Sequence, residues 1–177
     1  PPTSIEAIGT TDLNTFGRAG RAGCVYQQRL IIIAYADNEI IYASRTGHHD
    51  NFYRDFPYSD DSALVFKASA SDKSTVLRLM DAPNGLLVFT TTGVYQSTGA
   101  LTPTNLALEK KGSWVIDETI PPLEIPGGIL FVDRTSNSIR VLITSQEAVG
   151  FSGEDIGIFS SHLFLNKTVK SWAFHEG

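Results

Sequence analysis

The sequence predicts an all-β protein built of β-propeller blades, and three observations predict it. A hairpin recurs three times: RLIIIAYADNEIIYAS over Arg29–Ser44, GLLVFTTTGVYQS over Gly85–Ser97 and GILFVDRTSNSIRVL over Gly128–Leu142. Each copy is a β-branched or aromatic apolar run, a polar turn and a second apolar strand. Two copies follow turns rich in Gly and Pro, APNG at Ala82–Gly85 and PGG at Pro126–Gly128. The copies begin at Leu30, Leu86 and Ile129, at intervals of about 56 and about 43 residues, near the roughly 40–50 of a propeller blade with insertions.

The elements follow in order. Residues 1–23, with GRAGRAG at Gly17–Gly23, are predicted to be a flexible lead-in, and residues 24–177 a propeller fragment of about three blades plus the first strand of the next. Val25–Ala36 reads as one long strand, Asp37-Asn38 as a turn and Glu39–Ser44 as the return strand. LIIIAYA alternates poorly, which fits a strand covered on both faces. Arg45–Asp61 is a long polar loop studded with aromatics, a length usually kept for function. Ala63–Ala68 and Thr75–Met80 read as strands. Asp81–Gly85 turns the chain into Leu86–Thr91, and Gly93 reverses it into Val94–Ser97. One short connecting helix is expected over Glu154–Leu165, with Ile158, Phe159, Leu163 and Phe164 on its apolar face; Gly157 weakens it by about 1 kcal/mol. Thr168–Gly177 resembles Thr75–Gly85 and is expected to open a further blade, so the chain is expected to be part of a longer polypeptide.

Composition excludes several classes. The net charge is −5, from 14 basic and 19 acidic residues, which argues against tight sheathing of nucleic acid. The single cysteine, Cys24, allows no intrachain disulfide and reads as a small buried hydrophobe. No apolar stretch reaches the roughly 18–20 residues of a membrane helix, and the N-terminal residues lack a signal-peptide pattern.

No constellation forces a chemistry. His48-His49-Asp50 offers metal-ligand types, but neighbours on an extended loop point apart and no third ligand has the right spacing. Ser161-His162 lacks a nucleophile elbow. Asp60, Asp61, Glu118, Glu124 and Asp133 could supply a glycosidase pair, as any acidic protein could. GRAGRAG lacks the G-K-[ST] of a phosphate loop, and Asn166-Lys167-Thr168 matches a glycosylation acceptor by chance as readily as by design. Trp114 and Trp172 read as core. The expectation is therefore no enzyme, no cofactor and no metal. The candidate partner-contact loop is Arg45, His48, His49, Phe52, Tyr53, Phe56 and Tyr58, which either meets a partner or packs on its own blade.

The order of blocks carries a resemblance. Gln27–Phe52 runs QQRL, apolar strand, turn, IIYASRTG-x-x-x-NF; Leu77–Gly99 reads LRLMDAPNGLLVFTTTGVYQSTG; then come LTPTN, PGGILFVDR, EDIGIFSSHLF and VKSWAFHEG. This resembles the nozzle, or tail tubular protein B-like, structural proteins of short-tailed bacteriophages, over about residues 24–177. Asp155–Phe164 departs from that pattern at Gly157 and Phe159. The resemblance implies a propeller-containing virion protein in a hexameric ring at the distal tail, assembled in the host cytoplasm. It implies adjacent tail adaptor and fibre proteins as partners, transient contact with ejected DNA, and no catalytic residues. Two rivals remain at this stage. One is a carbohydrate-binding or hydrolytic propeller of a bacterial surface, stacking Phe52, Tyr53 and Tyr58 on sugars. The other is a β-sandwich adaptor.

Overall fold

A computed structural model describes residues 22–33, 38–54, 57–69, 73–97, 99–144, 151–155 and 169–173. These form twelve strands in three antiparallel sheets, with no helix among the described residues. The first sheet is β1 (Ala22–Tyr26), β2 (Arg29–Ile33), β3 (Ile40–Ala43) and β4 (Leu64–Lys67). The second is β5 (Val76–Ala82), β6 (Gly85–Thr90), β7 (Gly93–Ser97) and β8 (Leu108–Gly112). The third is β9 (Leu123–Ile125), β10 (Gly128–Asp133), β11 (Ser138–Thr144) and β12 (Phe151–Asp155). In each sheet, strands adjacent in sequence are adjacent in space, so each is a four-stranded meander.

The first connection of every meander is a two-residue turn: Gln27-Gln28, Pro83-Asn84 and Pro126-Gly127. These turns place Arg29, Gly85 and Gly128 at one equivalent position. The strand pairing then makes Leu30, Leu86 and Ile129 equivalent, and likewise Ile32, Val88 and Phe131.

The sheets stack face to face. Ile31, Ile33, Ile41 and Phe66 of the first sheet pack against Leu86 and Val88 of the second. Leu87 and Phe89, on the opposite face of the second sheet, pack against Ile129 and Phe131 of the third. The second sheet is thus covered on both sides, and every residue of β6 and β7 is buried. Strands so covered lose the apolar–polar alternation of a half-wet sheet, which is why GLLVF reads as a continuous apolar run.

The structure corrects several expectations. Val25–Ala36 is not one strand: Gln27 and Gln28, at φ of 48° and 59°, fold it into a hairpin between β1 and β2. β1 begins at Ala22, inside the predicted lead-in. One face of β2 is covered more deeply than the other: Ile31 and Ile33 are buried while Leu30 and Ile32 are half-buried. Glu154 and Asp155 close β12 instead of opening a helix, because they pair with Val141 and Arg140; residues 156–168 lie outside the described ones. Val169–Ala173 is not a strand, for no ladder partner faces it among the described residues. Trp172 is tied there by its indole Nε1, which donates to the Pro121 carbonyl at 2.9 Å.

Two titratable groups report on the packing. Cys24 sits between the first and second sheets, where burial, helped by the nearby Asp81 carboxylate, pushes its thiol up to about 12. Thiolate is the reactive form. Cys24 should therefore react with a thiol reagent at pH 8 at least tenfold slower in the folded protein than in urea; equal rates would refute its burial.

Asp133, at the end of β10, is nearly inaccessible. Its Oδ2 accepts from Arg140 Nε at 2.8 Å and Ser136 Oγ at 2.9 Å, and its Oδ1 from the Thr135 amide at 3.0 Å. Burial raises its pKa, but these bonds prevail and the net shift is downward. A lowered carboxylate pKa stabilises the fold fully above the unfolded value of about 3.9, and that stability is lost as pH falls through the folded value. Asp133→Asn should therefore flatten the loss of urea midpoint between pH 5 and pH 3. An unchanged acid slope would show that Asp133 contributes nothing to it.

Candidate functional site

The connection from β3 to β4 is the longest described, and one buried side chain organises it. Arg29, the first residue of β2, is 2% exposed. Its Nη1 donates to the Ser44 and Ser62 carbonyls, each at 2.7 Å, and its Nη2 donates to the Asp60 carbonyl at 2.5 Å. Both ends of the loop are thus held by a guanidinium whose fixed fork matches several carbonyls at once. Burial lowers the Arg29 pKa, the Asp61 carboxylate raises it and Arg45 lowers it further. Arginine stays protonated regardless.

Around this strut the described residues of the loop make further hydrogen bonds. Ser44 Oγ accepts from the Leu30 amide at 2.9 Å. Gly47, at a φ of 73° that suits a residue without Cβ, donates its amide to the Gln28 carbonyl at 2.8 Å. Asn51 Oδ1 accepts from the Tyr53 amide at 2.9 Å. Phe52 is buried at 5% exposure. Arg45 and Asp61 pair at 3.0 Å at the surface. Asp61 is held at about 2, first by the Ser59 hydroxyl at 2.5 Å and then by Arg45.

The predicted contact residues therefore separate. Phe52 is an anchor beneath the loop, and Arg45 and Tyr53 are half-buried. His48, His49 and Tyr58 are exposed, Tyr58 at 57%. Phe56 lies outside the described residues. His48, His49, Arg54 and Tyr58 are among the exposed residues of the loop, over its hydrogen-bonded frame. Among the described residues no three His, Cys, Asp or Glu side chains gather as metal ligands.

Sequence reasoning missed Arg29 and Gln27. Gln27 reaches from the first sheet to the second: its Nε2 donates to the Gly99 carbonyl at 3.3 Å and its Oε1 accepts from the Leu101 amide at 2.8 Å. A primary amide has an NH2 that donates and a carbonyl oxygen that accepts, so it joins this backbone as a short strand would. The turns at Gln27 and Pro83 lie at the same end of the stack as the long loop, since odd-numbered connections of a meander share an end. There Tyr26, Gln27, Asp81, Ala82, Pro83 and Glu124 border an open, polar cavity of about 380 Å³. This end presents hydrogen-bonding loops, exposed aromatic and imidazole groups, and acidic side chains. No protein-family model matches the chain, and no curated protein matches it.

Proposed function

We propose that this chain is a structural protein of a short-tailed phage virion, in which the three meanders are blades of a β-propeller within a tail ring. The observation that carries the reading is the Arg29 corner. Of the block that resembles tail nozzle proteins, Arg29, Ser44 and Phe52 are buried at one corner, with Arg29 bonded to the Ser44 carbonyl, while Gly47 and Asn51 hold the loop nearer the surface through bonds to Gln28 and Tyr53. A corner of that kind fixes a loop's shape, which suits a contact between ring neighbours or adaptor proteins. Three successive meanders stacked face to face are what consecutive blades require. The net charge of −5 suits a conduit that DNA passes without sticking.

Gold-labelled antibody against the chain, applied to short-tailed phage particles that encode it, tests the role. Label at the distal tail is the expected result. Virions without label, or strong binding of the protein on a glycan array, would overturn it.

A further inference from the structure

We infer that Asn84 is a self-modification site, converted by the chain's own backbone to aspartate and isoaspartate, and that Gln96 is the catch that slows the conversion. Asn84 is the one asparagine of the sequence followed by glycine. A backbone amide attacks the preceding asparagine side chain most readily when its own residue has no Cβ, so this pair is the most reactive of its kind in the chain. The fold requires the glycine. Gly85 has a φ of 138°, and a Cβ there would stand 2.5 Å from the Ser97 carbonyl oxygen. Asn84 itself is exposed at the tip of the two-residue Pro83-Asn84 turn. The equivalent turns of the other meanders, Gln27-Gln28 and Pro126-Gly127, carry no such pair.

The chemistry needs only water. The Gly85 nitrogen bonds to Asn84 Cγ, the Cγ–Nδ2 bond breaks, and ammonia leaves with the proton of the Gly85 amide. The five-membered imide so formed joins the Gly85 nitrogen to both carbonyl carbons of residue 84. Water then opens it. Attack at Cγ gives aspartate, and attack at the main-chain carbonyl gives isoaspartate, whose backbone is one atom longer.

The folded geometry opposes the first step. The Gly85 nitrogen reaches Cγ only if the peptide plane between Asn84 and Gly85 rotates. Gln96 pins that plane: its Nε2 donates to the Asn84 carbonyl at 2.6 Å, from a side chain that is itself buried. Gly85 is buried too and pairs with Ala82 across the turn. The reaction therefore waits for the turn to open, and its rate follows the open fraction. Once formed, isoaspartate puts an extra atom into a two-residue turn and breaks the register of Ala82 with Gly85. The sheet so disturbed is the second, which packs against both its neighbours. Either product also adds a carboxylate one residue from Pro83, at the cavity that Asp81 and Glu124 already border.

Peptide mapping by mass spectrometry, on the full chain held warm at pH 8, decides it. Folded wild type should convert Asn84 at least about tenfold more slowly than chain unfolded in guanidinium chloride. Gln96→Met removes the donor and keeps the volume, and while folded it should convert at least about threefold faster than wild type. Gln96→Leu takes its place if circular dichroism shows that variant poorly folded. Val88→Ala weakens the same sheet without touching the Gln96 bond, and should leave the folded rate at the wild-type value. Conversion as fast in the folded wild type as in guanidinium would overturn the inference. So would a wild-type rate in the folded Gln96 variant, or equal acceleration by Val88→Ala, which would mean that general unfolding and not this bond sets the rate.

Discussion

Arg29→Ala should destabilise the protein by about 4 kcal/mol in urea unfolding and release the β3–β4 loop to protease. Three carbonyls, those of Ser44, Asp60 and Ser62, receive their bonds from this one guanidinium in a buried setting. Removing a charged donor and leaving buried acceptors without a partner costs about 1–3 kcal/mol for each group, with incomplete additivity because water enters the vacated space. A second loss comes from the side chain's packing, since Arg29 is among the largest fully buried side chains. Arg29→Lys should recover only part of the loss, because an ammonium cannot present a planar fork to carbonyls that approach from different directions. Arg45→Ala is the control. Its partner Asp61 is exposed, and a surface ion pair of this kind contributes roughly 0–1 kcal/mol. If Arg29→Ala costs less than 1 kcal/mol, the guanidinium is not the strut of the loop.

This residue also shows how far the sequence could be read. Arg29 falls inside Val25–Ala36, which reads as one strand, and only the return of Ser44 and Ser62 to the same corner shows what it holds. The hairpins were legible because apolar β-branched runs and the Pro83-Asn84 and Pro126-Gly127 turns carry local signals. The Gln27-Gln28 turn carries no such signal. Neither residue favours positive φ, and the turn persists because Gln27 is bonded to Gly99 and Leu101 of the next sheet and Gln28 to Gly47. That compensation is non-local, so Val25–Ala36 reads in the sequence as one unbroken strand. Within the contact loop, the aromatic spacing identified the segment but not the division of labour. Phe52 lies buried beneath the loop and Tyr58 faces outward, a difference that aromatic spacing alone does not carry.

Phe89→Ala should cost about 4 kcal/mol, the upper range for emptying a large site in a close-packed core. Phe89 is fully buried on the face of the second sheet that meets the third, with its ring tilted 54° to Phe131 at 6.1 Å between centroids. Phe131 in turn meets Trp114 at 6.4 Å. The three rings form a chain, so the cavity left by Phe89 is bounded by stiff side chains that cannot collapse into it. Phe89→Leu retains most of the volume and should cost under about 1.5 kcal/mol. Phe131→Ala combined with Phe89→Ala should cost less than the two separately, because one shared cavity replaces two. Val88→Ala probes the opposite face of the same strand, toward the first sheet. Since β6 forms part of both interfaces, either substitution should lower one common urea transition without splitting it. Two transitions, with Phe89→Ala moving only one of them, would mean that the second sheet does not join its neighbours into a single cooperative unit.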